Sequence, residues 1–71
     1  MSETQVVIHV WFAPDGTVTE IGERPVSVAA QEWFNRLSNS AGNSYQSLSG
    51  GRGVFRIARA KVDSLKAASL N

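Results

Sequence analysis

The stretch VVIHVWF, residues 6–12, decides the fold of this 71-residue chain. Side chains alternate along a β-strand, so the even-numbered residues of the stretch point to one face, and Val7, His9 and Trp11 point to the other. A strand with one buried face alternates apolar and polar residues, whereas this stretch is largely apolar on both faces. It therefore predicts a strand that is covered on each side by the chain's own helices, by a second copy of the chain, or by a partner.

The length and composition predict one small domain, spanning residues 1–71. A chain of 71 residues with 42% hydrophobic content can bury roughly 60% of the surface that its unfolded form exposes. Such a core seldom supplies more than about 3 to 5 kcal/mol of stability, and small natural domains add disulfides, metals or self-association. The sequence contains no cysteine, which excludes disulfides and thiolate zinc sites. Self-association is therefore the expected support.

The N-terminal residues predict neither a signal peptide nor a membrane span. Residues 1–5 are polar and acidic, and the apolar stretch that follows is interrupted by His9 and ends before Pro14. A signal peptide needs a basic start, and a membrane span needs about 18 or more apolar residues. We therefore expect a cytoplasmic protein without membrane contact, in which residues 1–4 are disordered.

The first half of the chain predicts a β-hairpin followed by a helix. Residues 13–17 contain Pro, Asp and Gly, which favour a turn, and the β-branched residues of 17–21 predict the second strand. Pro25 ends this strand because it has no N–H to donate. A helix is expected from an N-cap at Ser27 to about Asn39. Its apolar stripe should face the even side of the first strand and consists of Val26, Ala30, Trp33, Phe34 and Leu37.

The second half predicts two more strands and a second helix. Residues 38–51 are mostly Ser, Asn and Gly and should form a loop or a weak edge strand, with a short strand within 44–49. Residues 54–58 alternate as a strand, and residues 59–69 form a helix whose stripe is Val62, Leu65 and Ser69 or Leu70. The predicted fold class is α+β, in the order ββαββα, with an antiparallel sheet and two helices packed mainly on one face.

No constellation of residues in the sequence predicts catalysis, a cofactor or a metal. His9 is the only histidine, and no nucleophile with an orienting partner is recognisable. Asp15 is explained by the turn, and Glu20, Glu23 and Glu32 are expected on the solvated surface. We therefore expect no enzyme activity, no cofactor and no small-molecule site.

The sequence GGRG, residues 50–53, admits three interpretations. Phosphate-binding loops lie between a strand and a helix N-terminus with longer glycine spacing, whereas this one precedes a strand. An arginine-glycine RNA-binding element needs repeats, and the chain has one copy. A hairpin turn is favoured, because glycine supplies the positive φ that such turns require.

Residues 51–59 (GRGVFRIAR), followed by Val62 and Leu65, resemble the wing and trailing helix of excisionase-type winged-helix DNA-binding proteins. That family reads DNA with a helix-turn-helix placed before the wing, whereas here a β-hairpin and one helix precede it. The resemblance therefore covers a short part of the chain and lacks the recognition element, so it assigns no family. It implies contacts to the DNA backbone from Arg52, Arg56 and Arg59.

Charge is distributed unevenly along the chain, although the net charge is only +1. Residues 1–43 carry two arginines against five carboxylates, and residues 44–71 carry five basic residues against one aspartate. A basic segment can bind phosphates, and it can equally pair with the acidic half of the same fold or of a dimer. The candidate nucleic-acid contacts are Arg52, Arg56, Arg59, Lys61 and Lys66.

The strand parities combine into one candidate interaction surface. If the strand 54–58 lies beside the strand 6–12 and turns Phe55 and Ile57 towards the core, its other face is aliphatic, aromatic and cationic. Trp and Arg are enriched at interface hot spots, and aromatic residues beside arginine can also stack the bases of single-stranded nucleic acid. The alternative is that the C-terminal helix covers this face. The predicted interface residues are Val7, His9, Trp11, Val54 and Arg56.

These observations support two hypotheses about function. The first is a small non-catalytic binding or regulatory module that works through protein contacts, including a homodimer, because exposed apolar patches mark interaction sites. The second is a nucleic-acid-binding module that uses the basic C-terminal hairpin and helix, although a near-neutral chain is unusual in that class.

Overall fold

The computed structural model describes residues 4–69, in which strands and helices follow in the order ββαββα. The predicted α+β class and element order are confirmed. Of the four residues expected to be disordered, residues 1–3 lie outside the described part of the chain. Thr4 lies inside it, and its carbonyl accepts a hydrogen bond of 2.8 Å from the Arg59 N–H. The elements are β1 (Gln5–Phe12), β2 (Val18–Ile21), α1 (Ala30–Ala41), a short 3-10 turn (Gly42–Ser44), β3 (Tyr45–Leu48), β4 (Arg52–Ala58) and α2 (Arg59–Ser69).

The four strands form one antiparallel sheet in the order β2-β1-β4-β3. The two central strands are therefore β1 and β4, which pair along their length from Gln5 opposite Ala58 to Trp11 opposite Arg52. This is the pairing on which the candidate interaction surface of residues 6–12 and 54–58 depends. The strand expected within residues 44–49 is β3, a short strand at the edge of the sheet.

The turn between β1 and β2 follows from its residue types. The Ala13 N–H donates to the Thr17 carbonyl at 2.8 Å, and Gly16 has a positive φ of 90°. The Asp15 carboxylate accepts hydrogen bonds from the Thr17 backbone N–H at 3.0 Å and from its hydroxyl at 2.7 Å. These bonds lower the pKa of Asp15. The hairpin therefore has the Asp-centred turn that the sequence predicted.

Both helices pack on the face of the sheet formed by the even-numbered residues of β1. Trp33 and Leu37 of α1 are fully buried there, and so is Val62 of α2. The indole N–H of Trp33 donates to the Gly22 carbonyl at 3.1 Å, which satisfies its one polar group. The core cluster consists of Ile8, Val10, Val18, Ile21, Val28, Trp33, Leu37, Ala41, Phe55, Ile57 and Val62.

The beginning of α1 differs from the sequence-based expectation. The helix starts at Ala30, not after an N-cap at Ser27, and Val26 is 93% exposed instead of joining the apolar stripe. A turn precedes the helix, because the Val28 N–H donates to the Pro25 carbonyl at 3.0 Å and the Arg24 guanidinium donates to the Val28 carbonyl at 2.7 Å. Val28 is buried in place of Val26.

Glu23 joins α2 to the connection between β2 and α1. Its carboxylate pairs with Arg59, at 3.0 Å, and with Lys66. The expectation that Glu23 lies on the solvated surface is therefore wrong, because its side chain is only 28% exposed and is held by two cations from α2. These bonds to Lys66 and Arg59 lower the pKa of Glu23.

Candidate functional site

The side of the sheet that faces away from the helices is the candidate site, and we call it the open face. Cross-strand pairing places its residues in rows that run across the strands. Residues directly opposite each other in neighbouring antiparallel strands point to the same face. The open face therefore consists of Glu20 on β2, Gln5, Val7, His9 and Trp11 on β1, Arg52, Val54, Arg56 and Ala58 on β4, and Gln46 and Leu48 on β3.

Two rows of the open face hold most of its aromatic and cationic groups. In one row, Trp11 is flanked by Glu20 and Arg52. The neighbouring row contains His9, which is two residues from Trp11 on β1. His9 lies opposite Val54 of β4, and Val54 lies opposite Gln46 of β3. The rings of Trp11 and His9 are neighbours, with centroids 6.0 Å apart and planes tilted by 38°.

The apolar residues of the open face differ in how much surface they offer. Val7 is 50% exposed and Trp11 is 40% exposed, so both present apolar surface to solvent. Val54 is only 2% exposed although it lies on the same face, between its cross-strand neighbours His9 and Gln46. Of the five predicted interface residues, which the structure brings together on one face, Val54 therefore contributes the least accessible surface.

The two arginines of the open face have different surroundings. Arg56 is exposed and donates a hydrogen bond of 2.9 Å to the Gln46 side chain. Arg52 is exposed and makes no ion pair or side-chain hydrogen bond with any residue between 4 and 69. Both guanidinium groups are therefore available to a partner that lies along β4.

Helix α2 does not cover the open face. Its buried residue Val62 belongs to the core cluster on the opposite side, with Ile8 and Val10 of β1. The two faces of the stretch 6–12 thus have different covers: α1 and α2 pack on one face, and the other is bare within the described chain.

The five basic residues predicted to contact nucleic acid lie on different surfaces. Arg52 and Arg56 lie on the open face, whereas Arg59 and Lys66 pair with Glu23, and Arg59 also pairs with Asp63 at 3.2 Å. The pKa of Arg59 is raised, chiefly by its hydrogen bond to Glu23. Lys61 is exposed on α2. The basic C-terminal segment is thus divided, and part of its charge is neutralised on the helical side.

A shallow cleft lies at the end of the sheet where β4 meets α2. Its volume of about 270 Å³ is below the range of roughly 300 to 1,000 Å³ that is typical of ligand sites. Arg56 and Lys61 are the charged residues in its lining, beside residues from the C-terminal end of α1. The cleft therefore borders the open face at this end of the sheet, where its lining is partly polar.

Within residues 4–69, no group of three or more His, Cys, Asp or Glu side chains is placed to hold a metal ion. Neither of the helices described there combines the length and apolar character needed to cross a membrane. His9 has Trp11 as its ring neighbour, and no hydrogen bond in the described part of the chain orients it towards a hydroxyl or a carboxylate.

Sequence reasoning missed several residues of the open face. Gln46, Leu48 and Glu20 belong to it because of the register of the two edge strands. That register depends on the turns at both ends of each short strand, and residues 38–51 carry too little apolar periodicity to fix it. Gln5 and Arg52 belong to it because β1 and β4 begin at these residues, before the expected starts at 6 and 54, so that Arg52 lies in a strand and not in the expected turn. Comparisons of the chain with protein-family models, with curated proteins and with solved structures give no match, so the chemistry of the open face is what bears on function.

Proposed function

We propose that this protein is a non-catalytic binding module that works through protein contacts made by its open face. One observation carries the proposal: Trp11 and Val7, two large apolar side chains, are half-exposed beside two arginines on the central strands of the sheet. Antiparallel sheets commonly leave one face in water, and that face is then polar. The composition of this face is instead that of an interface centre, where Trp and Arg are enriched.

The proposal is for binding and not for catalysis. The single histidine lies among Trp11, Val54 and Val7, a setting that supports contact better than proton transfer. General-base chemistry needs an imidazole within reach of a nucleophile and oriented by a third group. We assign His9 to the contact surface for this reason.

A second candidate function is the binding of single-stranded nucleic acid. It is favoured by the adjacent rings of Trp11 and His9 on one central strand, with Arg52 and Arg56 on the other. Aromatic side chains on an open sheet stack bases, and arginines beside them bind phosphates. We place it second, because Arg59 and Lys66 are paired with carboxylates and few cations remain for phosphates.

The experiment that tests the proposed function compares Trp11→Ala and Arg56→Glu with the unaltered protein. We expect both variants to lose the retention of partner proteins on the immobilised chain. Solution mass over a concentration series shows whether a second copy is among the partners. Val26→Ala is the matched control, since Val26 is 93% exposed and lies off the open face. It should bind as the unaltered protein does.

Folding is measured in the same variants by thermal unfolding. Trp11→Ala should cost about 1 kcal/mol, as is common for a partly exposed residue. Trp33→Ala should cost about 3 to 5 kcal/mol, because Trp33 is fully buried, and this is comparable with the whole stability of so small a core. A chain that is monomeric, retains no protein and unfolds on Trp11→Ala as it does on Trp33→Ala would exclude the proposal.

Titration with oligonucleotides separates the second candidate from the first. Binding through phosphates weakens steeply as salt is raised, since counterions are released from the nucleic acid. Flat titrations with single-stranded and double-stranded oligonucleotides, unaffected by salt, would remove nucleic acid as a partner.

A further inference from the structure

We infer that the partner of the open face is an acidic protein segment carrying aromatic or aliphatic side chains, and not a second copy of this chain. This inference rests on the proposed function and names the chemistry of its partner. It follows from the charged and apolar side chains that the open face presents.

The helical side of the molecule pairs its carboxylates with its own cations, and it leaves Arg24 and Lys61 without an ion pair within residues 4–69. Arg59 and Lys66 share the Glu23 carboxylate, and Arg59 also reaches Asp63. On α1, Arg36 pairs with Glu32 at 3.0 Å. The carboxylates of the two helices and of the connection before α1 are thus paired with cations of the same side.

The open face keeps its cations free of carboxylate partners. Neither Arg52 nor Arg56 forms an ion pair within residues 4–69, and Arg56 donates only to the neutral Gln46 side chain. The one carboxylate of the open face is Glu20, on the edge strand β2. A face with two free arginines at its centre and one carboxylate at its margin complements an acidic partner.

A second copy is a poor match for this face. A two-fold axis places the same patch on both sides of an interface. Four arginines would then enter a face-to-face contact with only two carboxylates, both from edge strands. Sheet extension is also hindered, because β2 and β3 are four residues long and the Val18 N–H of β2 already donates to the Gln31 side chain at 2.9 Å.

The spacing of the arginines describes what an acidic segment must provide. Arg52 and Arg56 are four residues apart on one strand, which corresponds to about 13 Å at the rise of a β-strand. Trp11 and Val7 lie directly opposite them in the same two rows. A bound segment would therefore place carboxylates above β4 and an apolar side chain above β1.

The test uses three probes: a glutamate–tyrosine copolymer, polyglutamate of the same length, and an oligothymidylate of matched charge. Binding is followed by the tryptophan emission of the protein, excited at a wavelength that tyrosine does not absorb. A change in emission reports contact with Trp11, because Trp11 is half-exposed whereas Trp33 is fully buried. We expect the copolymer to bind more tightly than polyglutamate, since its rings add contact with Trp11 and Val7. Raising the salt concentration should weaken both.

Charge variants locate the contact. Arg52→Gln and Arg56→Gln should each weaken copolymer binding about two- to fivefold, the range of exposed ion pairs, and reversal of both charges should weaken it further. Arg36→Gln is the matched control, because it likewise removes one cation, which lies on α1 on the helical side of the sheet. It should leave copolymer binding close to that of the unaltered protein.

The contrary outcomes are distinct. Tighter binding of the oligothymidylate than of the copolymer would overturn the inference in favour of nucleic acid, and a concentration-dependent dimer that is lost on Trp11→Ala would overturn it in favour of a second copy. No binding of the copolymer, together with a partner protein lost on Trp11→Ala, would overturn the inference and leave the proposed function standing. Loss of copolymer binding in Arg36→Gln alone would place the contact on the helical side.

Discussion

The Tyr45 ring lies over Gly53 on the helical side of the sheet, and this contact joins β3 to β4. Tyr45 also stacks at an angle against Phe55, with centroids 5.0 Å apart, and Phe34 meets both rings edge-on. A Cβ atom at position 53 would overlap the Tyr45 ring. Glycine is therefore required here by a close approach of an aromatic side chain, and not by its φ angle.

Replacing Gly53 by alanine should destabilise the protein by about 1 to 3 kcal/mol, because the Tyr45 ring must leave its place among the aromatic side chains. Chemical denaturation measures this cost. Gly42→Ala is the matched control, since an added Cβ at Gly42 meets nothing within 4 Å. In a Tyr45→Ala background the Gly53→Ala cost should fall, and an unchanged cost would contradict the overlap.

At the scale of elements, Glu23 joins the connection between β2 and α1 to helix α2 through ion pairs. Its φ of 62° is in the left-handed region, which places its carboxylate within reach of Arg59 and Lys66 on α2. The first-strand pattern predicted the sheet and its buried face, and the spacing of Trp33, Phe34 and Leu37 predicted which side of α1 is buried. The turn that precedes α1 was not predictable, because it depends on hydrogen bonds of Val28 to the Pro25 carbonyl and the Arg24 guanidinium. The Glu23 contacts were not predictable, because they join residues that are distant in sequence.

Acid should weaken the contact between Glu23 and α2. Because the pKa of Glu23 is lowered in the fold, its contribution is complete above the ordinary glutamate value of about 4.3 and is lost as pH falls through the lowered pKa. Glu23→Gln should lower the free energy of unfolding at neutral pH by roughly 1 kcal/mol, the scale of partly exposed ion pairs.

The measurement is the free energy of unfolding as a function of pH, for the unaltered protein and for Glu23→Gln. The gap between the unaltered protein and Glu23→Gln should close as the pH is lowered through the acidic range. Asp15, whose pKa is also lowered, is common to both proteins and cancels in the difference. A gap that stays constant with pH would show that the charge of Glu23 contributes nothing.

The whole molecule has two unlike sides. One side carries both helices, the core and the paired carboxylates Glu23, Glu32 and Asp63, whereas the open face carries half-exposed Trp11 and Val7 with unpaired arginines. Sequence parity predicted that Val7, His9 and Trp11 share a face with Val54 and Arg56, since pairing two apolar strands fixes which side chains share a face. It did not place Arg52 on this face, because residues 50–53 were expected to form the turn. It could not predict the ion pairs of Glu23 with Arg59 and Lys66, because they depend on where α2 lies relative to Glu23.

The most direct test of the central claim, that the open face is a protein-contact surface, is site-specific photo-cross-linking in the organism that makes the protein. A photoreactive amino acid at Val7 reports contacts of the open face and leaves Trp11 intact, and the same group at Val26 reports an exposed position elsewhere. We predict a protein adduct of defined mass from position 7 that is lost on Arg52→Glu with Arg56→Glu, and no such adduct from position 26. Nucleic-acid adducts, or the same adducts from both positions, would contradict the account.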